Sequence, residues 1–371
     1  MSKINVRNLS NENEDGAPDI VGVTTFSATS YFVPTKGTTA QRPPQHLEEG
    51  SIRYNTDIKN LEYYRGDTIG WVQFELKESA PLGGRAVNIG GTPDGPTRSN
   101  VMDYVTIASA GDAIDFGDIL ENPNMDPAAS SSTIRGVFAG GRNPGTTNTI
   151  EYFEFAVLSN SIDFGDLATA RFESTSCSDS TRALFAGGRS PSNQSSIEKI
   201  TIASTGSTAS FGSLSGSRRG FTGSCSSSIR GLFGGGYSPI VNTIDYVTIQ
   251  SDGTAQDFGN LSVARGFGGS CSSSTRGLWA AGLTPSHSDV IDYVEIMTLG
   301  DALDFGDITT GRALMSGASS STRGLFLGGT PSHVNTIEFV TIATIGDAQD
   351  FGDLTVGKSR NAACSNGHGG L

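Results

Sequence analysis

No stretch of this sequence strings together the roughly 18 apolar residues that a membrane-spanning helix needs. The opening, "MSKINVRNLSNENEDG", also lacks the apolar segment of a secretory signal. These absences give the expectation of a chain made and folded in a cytoplasm, without membrane insertion. Charge is sparse, at 17% of residues, and its balance is −13. No basic patch interrupts that balance, which argues against nucleic acid, because phosphate binding depends on clustered Lys and Arg. The four histidines, His46, His287, His333 and His368, are too dispersed for a metal or triad set. Neither a Gly-x-Ser-x-Gly elbow, a zinc spacing nor the Ser-x-Asp-x-Gly-x-Thr-Trp turn of propeller sialidases occurs. The expectation is a protein that is not an enzyme and carries no cofactor or metal.

What the chain has in quantity is glycine, 49 residues of it, with abundant Ser and Thr. That composition describes short strands joined by many turns. Asp115-Phe116-Gly117-Asp118 reads like the magnesium-holding triplet of protein kinases, but the companion motifs are missing and the stretch recurs. Its phenylalanines, Phe116, Phe164, Phe211, Phe258, Phe305 and Phe351, stand 46 to 48 residues apart. A six-fold repeat is architecture. Each Phe fills space between neighbouring repeats on this reading, and each following Gly permits a turn. The flanking aspartates read as hydrogen-bond acceptors at turns and strand ends rather than metal ligands.

Alignment on Phe-Gly divides each unit into four pieces: a small Ser/Gly/Cys-rich piece, an apolar run ending in glycines, an alternating run such as "IDYVTI", and the Phe-Gly piece itself. Alternation and glycine-bounded runs predict strands. Cys177, Cys225, Cys271 and Cys364 share one slot of the first piece, which marks them as small buried residues rather than disulfide partners or zinc ligands. Fifteen of the seventeen basic residues after position 80 are arginine. Arg171, Arg218, Arg265 and Arg312 each follow their Phe by seven residues, a recurrence that predicts structural pairing with carboxylates or carbonyls.

Four strands per 47-residue unit imply one propeller blade per repeat. The pattern resembles the kelch type, with Phe where that family usually carries Trp. The fold class expected is all-β: a six-bladed kelch-like β-propeller over residues 81–371, preceded by an extended N-terminal arm (1–45) and a small β-meander attachment module (46–80). The first-strand piece is missing before Arg85 and reappears as "SRNAACSNG", Ser359 to Gly367, so the C-terminal strand is expected to close the ring against Arg85 to Gly91.

The connections between second and third strands vary most: "TPDGPTRSN", "RNPGTTNT", "RSPSNQSS", "YSPIVNT", "LTPSHSDV" and "TPSHVNT". Arg142, Arg189, Tyr237, His287 and His333 lie in them and are the candidate binding residues, since loops on a rigid scaffold commonly carry recognition.

Before the repeats stands "RP…EGSIRYNTDIKNLEYYRGDTIGWVQF". This wording resembles a short module of virion structural and fibre proteins of tailed phages, notably those infecting marine cyanobacteria, where kelch-like blades of the "DYVTIATTGDAQDFGDL" kind are also familiar. The resemblance implies a virion protein assembled in the host cytoplasm. Its N-terminal 80 residues would contact other virion proteins, and its propeller would bind a host-surface glycan or receptor as a tail or fibre adhesin. The alternative it implies is a neck, head or baseplate decoration protein using the propeller as a docking platform. The sequence leaves open whether copies associate as a homo-oligomer.

Overall fold

The computed structural model describes residues 34–43, 50–73, 84–95, 97–120 and 124–371. Most of the expected arm therefore lies outside the described residues. The chain divides into two compact units, 1–77 and 78–371.

In the first unit, Ile52–Asn55, Asn60–Tyr64 and Trp71–Gln73 form the antiparallel meander that the alternation predicts. A fourth strand, Lys36–Gly37, joins Ile52–Asn55 in parallel, so the packed unit begins inside the segment read from sequence as arm. The reason is electrostatic. Glu62 is fully buried and accepts hydrogen bonds from Arg42 Nε (3.2 Å) and Asn55 Nδ2 (3.1 Å), with Arg53 Nε at 3.4 Å. Burial pushes its carboxyl pKa up, but the bonds from Arg42 and Asn55 outweigh that and hold it below the usual range. Arg42 thereby ties the preceding segment to the sheet.

The second unit is all-β, with no α-helix among the described residues. Its described residues form six four-stranded antiparallel sheets. In the second sheet the strands are Ala128–Ser131, Arg135–Ala139, Thr149–Glu154 and Ile162–Asp166, and the pattern repeats through the sixth, Ser316–Ser319, Arg323–Leu327, Thr336–Thr341 and Gln349–Asp353. The first sheet draws its first strand, Ala362–Ser365, from the far end of the chain and pairs it with Arg85–Ile89, Cys364 opposite Val87.

Phe-Gly is not a turn, as the sequence suggests, but a bulge inside the fourth strand. Ile150 pairs with Gly165 and Glu151 with Asp163, leaving Phe164 as the extra residue, and the same shift recurs in all six sheets. The bulge sends each ring into an apolar cluster shared with the next sheet. Phe164 meets Phe185 and Ile202, and Phe351 of the sixth sheet meets Val105 and Ile107 of the first. The glycine is needed because the neighbouring sheet's turn lies against it: a Cβ on Gly352 would stand 2.5 Å from the backbone of Gly111.

Arginine supplies a second set of links. Arg135, Arg182, Arg230 and Arg276 each lie over or beside the third strand of their own sheet and donate to a carbonyl of the next, as Arg182 Nη1 does to Ile249 O at 3.0 Å. The series returns to its start, because Arg323 of the sixth sheet donates to Ile107 O of the first at 3.1 Å.

The first strands pack against one another, which explains their small residues. Their serines bond across the sheets: Ser178 Oγ donates to Ser131 O (2.8 Å), Ser319 Oγ to Ser272 O (2.8 Å) and Ser365 Oγ to Ser319 O (2.6 Å). All four cysteines are buried free thiols, their pKa pushed up by burial. Their slot is filled in the second sheet by Ser130, whose buried hydroxyl has no hydrogen-bond partner. Ser130→Cys should therefore stabilise the protein by about 1 kcal/mol, by removing an unsatisfied polar atom from a site built for a thiol. Chemical denaturation measures this, and a lower midpoint would count against the assignment.

Candidate functional site

The segments that lead from each fourth strand into the next sheet converge on six residues, Asp126, Glu173, Gly220, Phe267, Leu314 and Arg360. All six have positive φ, between 55° and 60°. Five are not glycine, so the left-handed backbone costs energy that something must offset. The offset is a ring of backbone hydrogen bonds. Glu173 N donates to Asp126 O (3.1 Å), Gly220 N to Glu173 O (3.0 Å), Phe267 N to Gly220 O (3.0 Å), Leu314 N to Phe267 O (2.6 Å), Arg360 N to Leu314 O (2.8 Å) and Asp126 N to Arg360 O (2.9 Å). The sixth bond returns to the first residue.

This collar frames a cavity of about 160 Å³. One arc of it is ionic. Arg360 Nη1 lies 3.0 Å from Asp126 Oδ2 and 3.6 Å from Glu173 Oε1, Arg142 Nη2 lies 3.6 Å from Asp126, and Arg219 pairs with Glu173. Burial pushes the Asp126 carboxyl up to about 6, while Arg360 pulls it down and Glu173 pushes it up. The other arc is apolar, with Phe267 and Leu314 in front of Phe221 and Met315.

The variable loops flank the collar through isolated bridges one residue away from it: Met125 with Arg142, Phe172 with Arg189, Arg219 with Ser238, Gly266 with Leu283, Ala313 with Thr330 and Ser359 with Thr92. The five residues singled out in the sequence therefore belong to loops on the collar side. They differ in what they touch. Arg142 lies 4.2 Å over the Phe172 ring and beside Asp126, and the Tyr237 ring packs 4.9 Å from Phe267. His333 Nδ1 is 2.9 Å from Ser359 Oγ, and His287 Nε2 is 3.1 Å from Thr330 Oγ1. Arg189 is exposed and donates from Nε to Pro191 O at 3.1 Å. Arg142 and Tyr237 reach collar residues by side chain, whereas Arg189 and His287 stand further out in the loops.

Sequence reading missed the collar itself. Its members fall nine residues after the Phe in five repeats and ten in the first, but their types differ at every position because the ring is made by backbone.

Residues 368–370 lie against the other ends of the first strands. Gly369 N donates to Ser272 O (3.0 Å), and a Cβ on Gly370 would lie 2.0 Å from Ser178 O, so only glycine fits. The half-buried His368 approaches Ser131 O (3.1 Å) and Ser178 Oγ (3.3 Å) through Nε2. Burial lowers its pKa from 6.5 to about 4, against the Ser131 carbonyl and Asp179, which raise it.

A histidine depressed in the folded state contributes stability above its unfolded pKa and loses it on acidification. Between pH 6.5 and about 4, the native chain should therefore lose up to roughly 3 kcal/mol through this residue, reduced by solvent screening because the residue is only half-buried. Asp126, with its raised pKa, gains stability in the same direction of pH and partly masks the effect. Comparison with His368→Gln cancels that contribution. The difference in melting temperature between the two proteins should shrink or reverse as pH falls from 7 to 4, and a constant difference would contradict the assignment.

Comparison with protein-family models and with curated proteins finds no match.

Proposed function

We propose that residues 81–371 form a closed six-bladed β-propeller of kelch-like type. We further propose that the chain is a tailed-phage virion protein displayed as an adhesin, its collar and loops facing the host surface and its N-terminal 80 residues attached to other virion proteins. The closed ring is supported by four independent sets of contacts that run from sheet to sheet and return from the sixth to the first: phenylalanine clusters, arginine-to-carbonyl bonds, serine bonds between first strands, and the collar. The observation that carries the recognition reading is the contrast between the two ends of the sheets. Elsewhere most positions repeat the same residue types, whereas the loops around the collar differ in length, charge and aromatic content. The virion setting draws on the wording of the N-terminal module, whose Arg53, Asn55 and Glu62 build its buried ion cluster. That shared wording speaks for a shared fold.

A second reading, as a docking platform for other virion proteins, is favoured by Ile114, Ile162 and Leu303. They occupy one position of the fourth strands and are 59%, 52% and 60% exposed.

Arg189→Ala combined with Tyr237→Ala should weaken adsorption of the full chain to receptor-bearing cells by roughly tenfold, as expected for recognition anchors. Stability should stay within about 1 kcal/mol, since both side chains are exposed at the surface. Unchanged adsorption in the double variant, with loss only when Ile114 and Ile162 are made polar, would favour the docking reading.

A further inference from the structure

We propose that the collar cavity binds a single neutral pyranose ring, the end or branch residue of a surface polysaccharide whose remainder lies across the loops. The polymer rests on the adhesin reading above; the ring rests on the cavity's own chemistry.

Size sets the first limit. At about 160 Å³, the space is below the roughly 300–1,000 Å³ of pockets that enclose drug-sized ligands, so it admits one ring and not a chain. Access sets the second, because His368, Gly369 and Gly370 lie against the other ends of the first strands and leave the collar as the way in.

Charge then selects among small ligands. Asp126 and Glu173 are already matched by Arg142, Arg219 and Arg360, so a cation finds no uncompensated carboxylate. An anion approaching Arg360 meets the same two carboxylates. A wholly apolar ligand would cover the ionic arc and strip its water without replacing it. What fits is a molecule with hydroxyls along one side and a C–H face on the other. The hydroxyls would meet Glu173 and Arg360, which stand side by side on the cavity wall. The C–H face would lie on Phe267 and Leu314, as sugar rings do on aromatic surfaces.

The test uses the full chain, titrated with glucose, galactose and mannose while the methyl resonances of Leu314 and Met315 are followed by NMR. Adsorption to an array of bacterial polysaccharides is measured in parallel. At least one hexose should shift both methyls saturably, and Phe267→Ala should weaken that binding by roughly tenfold. Glu173→Gln, which keeps shape and removes charge, provides a second variant if Phe267→Ala melts early, and it too should weaken binding. Adsorption to the array without any hexose effect at these methyls overturns the cavity assignment and leaves the adhesin reading standing. Methyl shifts without adsorption support the cavity and count against the adhesin.

Discussion

Deleting residues 359–371 should cost more than about 5 kcal/mol, a sum comparable to the whole stability of an ordinary domain. The deletion removes the first strand of the first sheet, with Ala362 and Cys364 buried opposite Ile89 and Val87. It also breaks the collar at Arg360 and exposes the edges of Arg85–Ile89. Deleting only residues 367–371 provides the control. That shorter deletion keeps the strand and the bond from Arg85 N to Asn366 Oδ1 (2.7 Å), and removes only the residues that lie against the ends of the first strands. Calorimetry should find the shorter protein folded with a modestly lower melting temperature, and the longer deletion insoluble or without a cooperative transition. Equal melting temperatures for the two truncations would mean that the terminal strand holds nothing together.

Arg265→Leu should destabilise the protein by about 3–5 kcal/mol, because it leaves Asp292 buried without its partner. Both side chains are completely buried, 3.1 Å apart, and Arg265 Nη2 also donates to Trp279 O at 3.0 Å. The same arrangement recurs as Arg218 with Asp245 (2.9 Å), Arg171 with Glu198, Arg312 with Glu338 and, with lysine, Lys358 with Asp103 (2.7 Å). In each case the base sits before one sheet and reaches the third strand of that sheet, locking the connection to it. The pair is imperfectly satisfied, since Arg265 Nε and Nη1 and Asp292 Oδ1 have no hydrogen-bond partner. Replacing both, as Arg265→Met with Asp292→Leu, should therefore recover most of the loss. In the second sheet the equivalent positions are filled by Asn124, whose Nδ2 donates to Gly140 O (2.6 Å), and by Glu151, which accepts from Ser161. A double variant as unstable as the single one would show that the ion pair itself, rather than the avoidance of a lone charge, is what the site requires.

Spacing and composition alone were enough to read the repeat and most of what recurs with it. Strand alternation, the shared cysteine slot and the seven-residue spacing of Phe to Arg are local chemical facts repeated four to six times, and repetition separates them from chance. The out-of-place "SRNAACSNG" even marked which strand lies beside Arg85–Ile89. The bulge at Phe-Gly is visible only in the folded chain, because the sequence shows a recurring glycine but not the neighbouring sheet's turn that lies against it. The fold also decided the role of Lys36–Gly37, two residues whose parallel pairing leaves no periodic pattern, and the burial of Glu62 beneath Arg42 and Arg53. The collar was decided there most completely. Backbone hydrogen bonds carry no residue signature, so Asp126, Glu173, Gly220, Phe267, Leu314 and Arg360 become one site only when six separate segments are folded to the same place.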